Sequence, residues 1–473
     1  MDAGDIFRML YWVNSIIAIC ITVKVVLANR NPVTTFAWIF VLLFLPYIGL
    51  ALYFFFGRDT RKRKYIRRRF LSQIKQKAQP VCNTSGDVYI PAEYMRISSY
   101  YKSVADAYPL ANNNIEVISD TRLFVKQLLD AIDAAEQHVH LQFYIFEDDT
   151  LGNKVRDALI TKARSGVEVR LLYDSVGCWS VKRSFFDEVR RAGGYVESFL
   201  KVRFPLLTNK VNYRNHRKIV VIDGKIGFLG GCNIADRYIQ GLNGGLWRDT
   251  MIKIQGEGVY GLQTVFLADW YFASNTMVCG NEYFPQPDVQ GDALLQIVAS
   301  NPVGHWRVLS AGMAMALSLV RNYVYLQTPY LMPNDRVLSA LQSAALSGVD
   351  VRLMIPEHAD SRIAEYASYS YLGELMQSGV KVYLYCDGFL HSKTLVADDS
   401  LSTVGSVNLD FRSFDYNFEV CACVYDVSMA KRMKALFIED MSHCRQYTMQ
   451  EYLGRSIGRR CLESGARLVS PVL

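Results

Sequence analysis

The sequence predicts an α/β protein with two pseudo-symmetric lobes, each a mixed sheet flanked by helices, preceded by an N-terminal transmembrane helical hairpin. Three observations support this fold class. A pattern of eighteen residues occurs twice, at 216–233 and at 391–408. The segments on both sides of this pattern repeat as well, and the chain of 473 residues begins with two long apolar stretches. The two histidines that open the patterns are 175 residues apart. Because solenoid repeats have periods of roughly 20–50 residues, this spacing indicates two copies of a whole domain.

The two apolar stretches are predicted to cross a membrane as an antiparallel pair of helices. Residues 33–56 are 24 uncharged, mostly apolar positions. As a helix they would extend about 36 Å, against a hydrocarbon core of about 30 Å. Residues 9–28 form a weaker span because they include Asn14 and Lys24, and residues 29–32 would form the turn. A cleaved signal peptide is the alternative for 9–28, but no small-residue cleavage site follows it and a second span comes immediately.

A strongly basic segment follows the second apolar stretch. Residues 58–69 contain eight basic residues and one acidic residue, a net charge of +7 that equals the formal charge of the whole chain. By the positive-inside tendency, this segment, both lobes and the N-terminus are expected on the cytoplasmic side. The segment would attract anionic headgroups, at about 1 kcal/mol per basic residue near the surface. A nucleic-acid patch is the alternative, and the position beside a membrane span favours lipid over it.

Both halves of the remaining chain contain the same predicted elements in the same order. Each half has an amphipathic helix, a strand, a helix end followed by a second strand, and a further helix with a glycine stop and a third strand. The matching segments are 123–138 and 306–322, 139–146 and 324–331, 165–174 and 347–356, and 188–199 and 374–385. The predicted domains are a transmembrane hairpin at 1–57, a basic juxtamembrane linker at 58–112, lobe 1 at 113–290, lobe 2 at 291–455 and a C-terminal tail at 456–473.

The repeated pattern reads His, any residue, Lys, four residues, Asp, six residues, Gly, Gly or Ser, any residue, Asn. Its Lys-to-Asn part predicts a strand, a tight turn and a second strand. His216 and Lys218 are two residues apart, so they point to the same face of a strand, as do His391 and Lys393. Two imidazoles and two ammonium groups, brought together across a pseudo-twofold cleft, can break and remake a phosphodiester.

The other positions of the pattern suggest supporting roles. Asp223 and Asp398 lie near the predicted turns, where they could fix the turn or join the charge network. Asn233 and Asn408 supply amide donors that, with the two lysines, can bind the non-bridging oxygens of a phosphate. No repeated carboxylate cluster suits a two-metal site. We therefore expect neither a metal nor any other cofactor.

This pattern is the signature of the phospholipase D superfamily, and the chain resembles that superfamily from roughly 113 to 455. The fold it implies is a pair of phospholipase D-like lobes. Within the superfamily the chain resembles the bacterial cardiolipin synthases, mostly in stretches outside the pattern. These stretches are NPVTTFAWIFVLLFLPYIGLALYFFFGR at 31–58, QFYIF, NHRKIVVID, LWRDT at 246–250, TPYLMP at 328–333 and NFEV at 417–420.

The resemblance implies a reaction through a phosphohistidine intermediate, in which one histidine attacks phosphorus and the other transfers protons. His216 is the expected nucleophile, since the superfamily usually uses the N-terminal copy. The resemblance also implies that carboxylates orient the imidazoles crosswise, Glu419 with His216 and Asp249 with His391. By the same resemblance Asp223 and Asp398 are more structural than catalytic.

One residue departs from the resemblance, because Gly231 stands where serine is commoner.

Three function classes are in view, and the same motif chemistry serves all of them. The first is a phosphatidyl transferase that joins two phosphatidylglycerols into cardiolipin and glycerol. The second is a hydrolase that makes phosphatidic acid, and the third is a membrane-tethered nuclease. The predicted hairpin and the resemblance favour the first. The expected partners are thus a membrane and an anionic phospholipid rather than nucleic acid, and the expected location is the cell membrane, as a multi-pass protein. The sequence carries no signal for an oligomeric state.

Overall fold

The computed structural model describes most of the chain, in two compact units. One unit contains the described residues up to 57, and the other contains the described residues from 90 onwards. The basic segment at 58–69 and most of the predicted turn at 29–32 lie outside the described residues. The described ranges are 3–28, 32–45, 47–57, 90–201, 213–241, 244–288, 291–304 and 306–472.

The N-terminal unit contains three helices, α1 (Ala3–Leu27), α2 (Pro32–Phe44) and α3 (Ile48–Leu52), and then a π-helical turn. By length and composition α1 can cross a membrane, over Gly4–Leu27. The prediction of one continuous helix over 33–56 is wrong, because the helix stops at Phe44 and resumes at Ile48. Pro46 explains the break, since proline lacks an N–H and clashes with the preceding turn. The next residue, Tyr47, has a positive φ of 63°.

The polar residue that weakened the first span in the sequence has a partner at this break. Asn14 is buried, and its side-chain oxygen accepts a hydrogen bond of 3.2 Å from the Tyr47 amide. A helix break frees backbone donors that a membrane cannot solvate. Asn14 satisfies one of them. Val25 and Leu42 are buried where α1 and α2 meet.

The second unit contains both lobes. After α4 (Met95–Ala105), lobe 1 consists of β1 (Leu110–Ile118), α5 (Thr121–Asp133), β2 (His138–Phe143), α6 (Thr150–Arg164), β3 (Glu168–Asp174), α7 (Arg183–Arg191), β4 (Tyr195–Phe199), β5 (Arg214–Asn215), β6 (Ile219–Ile222), β7 (Ile226–Gly230), α8 (Arg237–Gln240), β8 (Leu246–Arg248), β9 (Met251–Gln255) and α9 (Gly258–Ser274). Lobe 2 consists of β10 (Ala293–Ser300), α10 (Val308–Leu319), β11 (Tyr323–Gln327), β12 (Leu331–Met332), α11 (Asp335–Leu346), β13 (Asp350–Pro356), α12 (Arg362–Gln377), β14 (Lys381–Tyr385), β15 (Gly388–Leu390), β16 (Thr394–Ala397), β17 (Leu401–Gly405), β18 (Leu409–Asp410), α13 (Phe411–Asp415), β19 (Asn417–Val424), α14 (Val427–Met441), β20 (Cys444–Tyr447), α15 (Met449–Leu453) and α16 (Ile457–Val469).

Within the described residues, sixteen strands form one mixed sheet that runs through both lobes. Its order is β20-β14-β13-β11-β16-β17-β19-β10-β1-β9-β7-β6-β2-β3-β4, with β5 paired to β19. Outward from the central β1–β10 pair, the two halves read as equivalents, and β20 adds an edge strand to lobe 2. Apart from β20, which pairs antiparallel with β14, the outer strands of each lobe are parallel, as helical crossovers require. The inner strands are antiparallel. The predicted α/β class and pseudo-symmetric lobes are therefore confirmed.

Two segments have more structure than their predicted domains implied. The predicted linker at 58–112 includes α4, whose Ile97 and Tyr101 are buried in the core of lobe 2. The predicted tail at 456–473 includes α16, which docks on α12 through a hydrogen bond of 3.1 Å from Arg467 to the Ser370 carbonyl. Both segments therefore belong to the packed unit.

Candidate active site

Two short parallel strand pairs hold the repeated histidines between the lobes. Strand β5 pairs with the start of β19, and β15 pairs with β8. The His216 amide donates to the Phe418 carbonyl at 2.9 Å, and the His391 amide donates to the Arg248 carbonyl at 2.7 Å. Each acceptor immediately precedes the carboxylate that the resemblance assigned to that histidine. The pairing thus brings each histidine of one lobe beside a carboxylate of the other.

The side chains complete this crosswise arrangement. His216 Nδ1 lies 3.1 Å from Glu419 Oε1 and 3.2 Å from Oε2, and His391 Nδ1 lies 2.6 Å from Asp249 Oδ2. Both carboxylates are almost completely buried. A carboxylate at Nδ1 holds the proton on that nitrogen, which leaves Nε2 of each imidazole as the reactive atom. These are the two pairings that the resemblance implied.

Burial and neighbouring charges shift the pKa of all four groups. Burial and the charge of Lys393, against the opposing effect of Asp249, lower the pKa of His391 to about 3. Burial also lowers the pKa of His216, against the opposing effect of Glu419. Burial raises the pKa of each carboxylate, but the facing histidine and lysine charges outweigh it and leave both pKa values below normal. Both imidazoles are therefore neutral, and both carboxylates charged, near pH 7.

The two lysines lie deeper than the sequence suggested. Lys218 and Lys393 are 0% and 4% exposed, and neither lines the cavity described below. The Lys218 ammonium donates to the His216 carbonyl at 2.7 Å, and Lys393 makes the equivalent bond to the His391 carbonyl. Burial lowers the pKa of Lys218 to about 7 and that of Lys393 to about 8. From this position they place positive charge behind the imidazoles.

Both histidines line one cavity of about 540 Å³. Aromatic rings surround the imidazoles, with Tyr144 edge-on to His216 at 4.9 Å and Trp247 at 5.1 Å from His391 between ring centroids. These rings exclude water from the imidazole faces, which is the physical source of the lowered histidine pKa values.

The two asparagines line the same cavity, but their amides are partly engaged. Asn233 Nδ2 donates to the Tyr238 hydroxyl, and Asn233 Oδ1 accepts from the Ile145 amide at 3.0 Å. Asn408 Nδ2 donates to Asp410 at 3.0 Å. Each amide therefore retains one N–H at most for a ligand.

The two aspartates of the pattern contact backbone rather than the histidines. Asp223 accepts hydrogen bonds from the amides of residues 136, 137 and 138, at 2.7–2.8 Å. Asp398 does the same for residues 321, 322 and 323, at 2.7–3.0 Å. Both aspartates have positive φ values, at the turn between the two strands of their hairpin. Each ties that turn to the start of the first strand of its βαβ unit.

Arginines that the sequence interpretation missed also line the cavity. Arg237 and Arg412 each lie 21 residues after the histidine of their lobe, four residues after the repeated asparagine. Extending the repeat by these four residues would have revealed them. Arg214, which is 8% exposed, joins them in the cavity wall. Burial lowers the pKa of Arg214, Asp174 opposes this shift, and the charge of Arg412 adds to it. Asp360 and Asp410 also line the cavity, so the three arginines leave it with a net positive formal charge, which suits an anion.

The structure also explains the glycine at 231. A β-carbon there would overlap the Asp249 carboxylate, which His391 and the Thr250 amide hold in place. At the equivalent position of lobe 2, the Ser406 hydroxyl donates to Glu419 and accepts from the Val420 amide at 3.1 Å. The hydroxyl absent from lobe 1 has no space there.

Among the residues that the structure describes, no three or more His, Cys, Asp or Glu side chains are grouped to hold a metal ion. The positive charges described around the cavity belong to lysine and arginine.

Comparison with known proteins agrees with this geometry. The family model described as "Cardiolipin synthase, PLD-like domain" matches residues 128–270 and 314–441, more than half of the chain. The chain belongs to this family. A second model, "Phospholipase D-nuclease N-terminal", matches residues 15–58.

Curated relatives extend over nearly the whole chain. The major cardiolipin synthase of Bacillus subtilis is 38% identical, with 100% of each chain covered. The cardiolipin synthase of Alkalihalophilus pseudofirmus is 37% identical, covering 94% of this chain and 90% of its own. Among solved structures, phosphatidylserine synthase of Haemophilus influenzae aligns with a TM-score of 0.63 at 14% identity, covering 81% of this chain and 100% of its own. At that identity the last match shows the fold alone.

Proposed function

We propose that this enzyme is a cardiolipin synthase that transfers a phosphatidyl group from one phosphatidylglycerol to the terminal hydroxyl of another, releasing glycerol. The observation that carries the proposal is the pair of imidazoles in one cavity, each held by a buried carboxylate of the opposite lobe. The curated relatives, named as cardiolipin synthases and similar over their full length, support the choice of product.

In the first step Nε2 of His216 attacks the phosphorus of the donor lipid. The bond from phosphorus to the glycerol headgroup oxygen breaks, and His391 gives that oxygen its proton. Glycerol leaves, and the phosphatidyl group is bonded to His216. Glu419 stabilises the positive charge that develops on the His216 ring, since its ionised carboxylate accepts a hydrogen bond from the Nδ1–H group.

In the second step the acceptor replaces the histidine. The terminal hydroxyl of a second phosphatidylglycerol gives its proton to His391 and attacks phosphorus, and the bond from phosphorus to Nε2 breaks. His391 must be protonated at the start of the first step, in which it is the acid, although burial and the charge of Lys393 lower its pKa to about 3. A bound phosphodiester anion raises the pKa of a neighbouring imidazole, so donor binding supplies this condition.

Positive side chains stabilise the charge that builds on the non-bridging oxygens. Lys218 and Lys393 contribute charge from the protein interior beneath the imidazoles, and the arginines contribute charge from the cavity wall. We expect catalysis without a divalent ion. Activity should survive exhaustive chelation, and a strict requirement restored by one added metal would contradict this expectation.

The test is product analysis with purified full-length enzyme in detergent and phosphatidylglycerol labelled in its headgroup and acyl chains. Cardiolipin and free glycerol in equal amounts are expected. Phosphatidic acid as the main product would establish the hydrolase instead, and cleavage of single-stranded DNA at a comparable rate would establish the nuclease. The His391→Ala variant is the control for contaminating activity.

We propose in addition that α1–α3 enter the cell membrane as a hairpin, with both lobes in the cytoplasm. The length of α1, its contacts with α2 and the basic segment at 58–69 support this topology. A single cysteine placed in 29–32, in a background without reactive thiols, should react with an impermeant external maleimide, whereas cysteines in the lobes should not. Shielding of 29–32 would show that α1 lies along the inner surface or that α2 re-enters it.

A further inference from the structure

Helix α16 turns charged residues toward the protein and apolar residues outward, which is the reverse of a helix on the surface of a soluble protein. Three of its four charged residues, Arg459, Glu463 and Arg467, are spaced four residues apart and lie toward the protein. Glu463 is only 2% exposed, and the two arginines are partly buried. Ile457 and Leu468 lie on the opposite side and are 77% and 84% exposed. Leu462 and Val469 are exposed beside them. A helix against an aqueous surface normally buries its apolar residues and exposes its charges.

The inward charges are fully engaged, so this orientation is built into the fold. Glu463 forms an ion pair with Arg459, with 2.9 Å between Oε1 and Nε. It also pairs with Arg455, which precedes the helix. Arg467 pairs with Glu374 of α12 at 2.5 Å, and its guanidinium lies 4.1 Å above the Tyr371 ring. Rotating α16 to bury its leucines would break these ion pairs and leave the largely buried Arg455 side chain without Glu463, which is more costly than exposing leucine.

A cavity of about 490 Å³ adjoins the apolar face of α16. Its charged lining residues are three arginines, Arg455, Arg460 and Arg467, against the single acid Glu463. Leu468 lines it as well. Arg460 is exposed and lines this cavity together with Leu468. A positively charged recess bordered by exposed leucines matches a phospholipid in both parts, since arginine pairs with phosphate and leucine enters the acyl region.

The position of this surface relates it to the candidate active site. Helix α12 forms part of both walls, with Ala364 in the wall of the active-site cavity and Ser370 in the wall of the arginine cavity. Six residues of helix correspond to about 9 Å along its axis. A bilayer in contact with α16 would therefore lie close to the cavity in which lipid is proposed to react.

We propose that the exposed face of α16 and the adjoining arginine cavity form a membrane-docking surface that binds an anionic phospholipid headgroup and inserts Ile457 and Leu468 among the acyl chains. Charge complementarity selects an anionic bilayer over the other possible covers, a second copy of the chain and the chain's own N-terminal helices. This surface is separate from the reacting groups, and its existence does not depend on which reaction they catalyse.

The test places an environment-sensitive fluorophore on full-length Leu468→Cys enzyme, in a background whose native cysteines are replaced by serine. Leu346→Cys is the matched control, because Leu346 is 74% exposed at the end of α11 and has no part in the surface. The enzyme is reconstituted in vesicles of phosphatidylglycerol and phosphatidylethanolamine that contain spin-labelled lipids. We expect strong quenching of the fluorophore at 468 and little at 346.

Two other outcomes would overturn the proposal. A fluorophore at 468 that reports water and is not quenched by lipid would show an uncovered face. A fluorophore that is shielded from water but not quenched by lipid would show that protein covers the face. The cover would be a second copy if the shielding falls when the protein is diluted in lipid, and the N-terminal helices if the shielding stays the same. Retained activity in detergent would verify that the labelled variants are folded.

The headgroup part of the proposal has its own test, with the same fluorophore at 468. Arg460→Glu should require a higher fraction of phosphatidylglycerol for half-maximal quenching, with an affinity loss of about fivefold for each unit of charge. Arg122→Glu is the control, since Arg122 is an exposed arginine on α5 of lobe 1. Equal shifts in both variants would show a general charge effect and would contradict a specific headgroup site. Since quenching does not require turnover, these results stand whether or not cardiolipin is the product.

Discussion

The two lobes contribute the same motif to the active site, but each orients the histidine of the other lobe by a different arrangement of side chains. In lobe 1 the shorter carboxylate, Asp249, approaches His391 to 2.6 Å, and Gly231 leaves it the space to do so. In lobe 2 the longer Glu419 reaches His216 at 3.1 Å, and the Ser406 hydroxyl supports it. The length of the carboxylate and the size of the residue beside it thus change together.

This difference teaches that a duplicated motif can give two chemically distinct imidazoles. His391 has the shorter carboxylate contact, and its pKa is lowered to about 3 by burial and by Lys393. His216 shares its Nδ1 between Glu419 and the Ser406 carbonyl at 3.1 Å. One histidine is proposed to carry the phosphatidyl group and the other to carry only a proton, so identical surroundings would serve neither role well.

The largest effect should come from removing either imidazole. His216→Ala and His391→Ala should each reduce net turnover to background, because each imidazole has a role that the other cannot fill. A radiolabelled phosphatidyl group should remain covalently bound to His391→Ala but not to His216→Ala. The rapid quench must be made in denaturing detergent at alkaline pH, because the phosphorus–nitrogen bond of phosphohistidine hydrolyses in acid. The reverse labelling would exchange the two roles, and equal labelling of both variants would show that the lobes are interchangeable.

The next effect should distinguish the two carboxylate arrangements. Gly231→Ser should lower kcat by about 10²-fold or more, within the range of lost acid–base catalysis, because the added side chain displaces Asp249 from His391. Ser406→Gly removes one hydrogen bond from Glu419, which keeps its contact with His216. A loss of about tenfold in kcat is therefore expected. Steady-state rates of purified variants in mixed micelles measure both. A larger loss in Ser406→Gly would refute the comparison.

The buried lysines predict opposite pH trends for activity and for stability. Their pKa values of about 7 and 8 mean that positive charge at the site is lost as pH rises through this range, so kcat/KM should fall between pH 7 and 9. In the unfolded chain lysine titrates near 10.5, so the unfolded state binds more protons across the range from about 7 to 10.5. The free energy of unfolding contributed by these groups therefore rises with pH over the same window.

Thermal unfolding and kcat/KM across this pH range provide the measurement. As a control, Lys218→Met should be inactive, yet more stable than the parent at pH 7 with a weaker increase above it. Activity that stays level to pH 9 would show that the lysines remain charged in the enzyme.

The smallest predicted effect tests the symmetry of the arginine pair. Arg237 is 3.0 Å from Glu147 and partly exposed, so its charge is partly compensated and solvated. We therefore expect Arg237→Gln and Arg412→Gln each to raise the KM for phosphatidylglycerol, by about threefold to tenfold, with the smaller change in Arg237→Gln. Lysine at each position should restore part of the loss. A change in kcat alone would exclude a role in binding.

Much of the fold and site could be predicted because the repeat carries the information twice. Alternating and β-branched segments at matching positions specified the strands, and the spacing of His216 and Lys218 specified a shared strand face. The crosswise carboxylates Asp249 and Glu419 were reached through resemblance, since neither lies inside the repeated pattern.

Other features depend on three-dimensional packing that no local pattern records. The sequence did not reveal that Lys218 lies behind its imidazole, because a strand face alone does not distinguish the cavity from the core. Nor did it explain Gly231, whose constraint comes from Asp249, a residue 18 positions away in the chain. The break in the second apolar stretch was overlooked although Pro46 signalled it, because average hydropathy outweighed a single residue.

The crosswise strand pairs have a consequence for how the enzyme is made. The carboxylate that orients His216 is 203 residues further along the chain. At a translation rate of about 5–20 residues per second, this interval corresponds to roughly 10–40 seconds. Throughout that time the imidazole of His216 has no orienting partner, although lobe 1 is complete in sequence before the interval ends. The apolar N-terminus is already available to the membrane. The enzyme therefore reaches the lipid before it can react with it, and its activity begins only when the last strands of lobe 2 join the sheet.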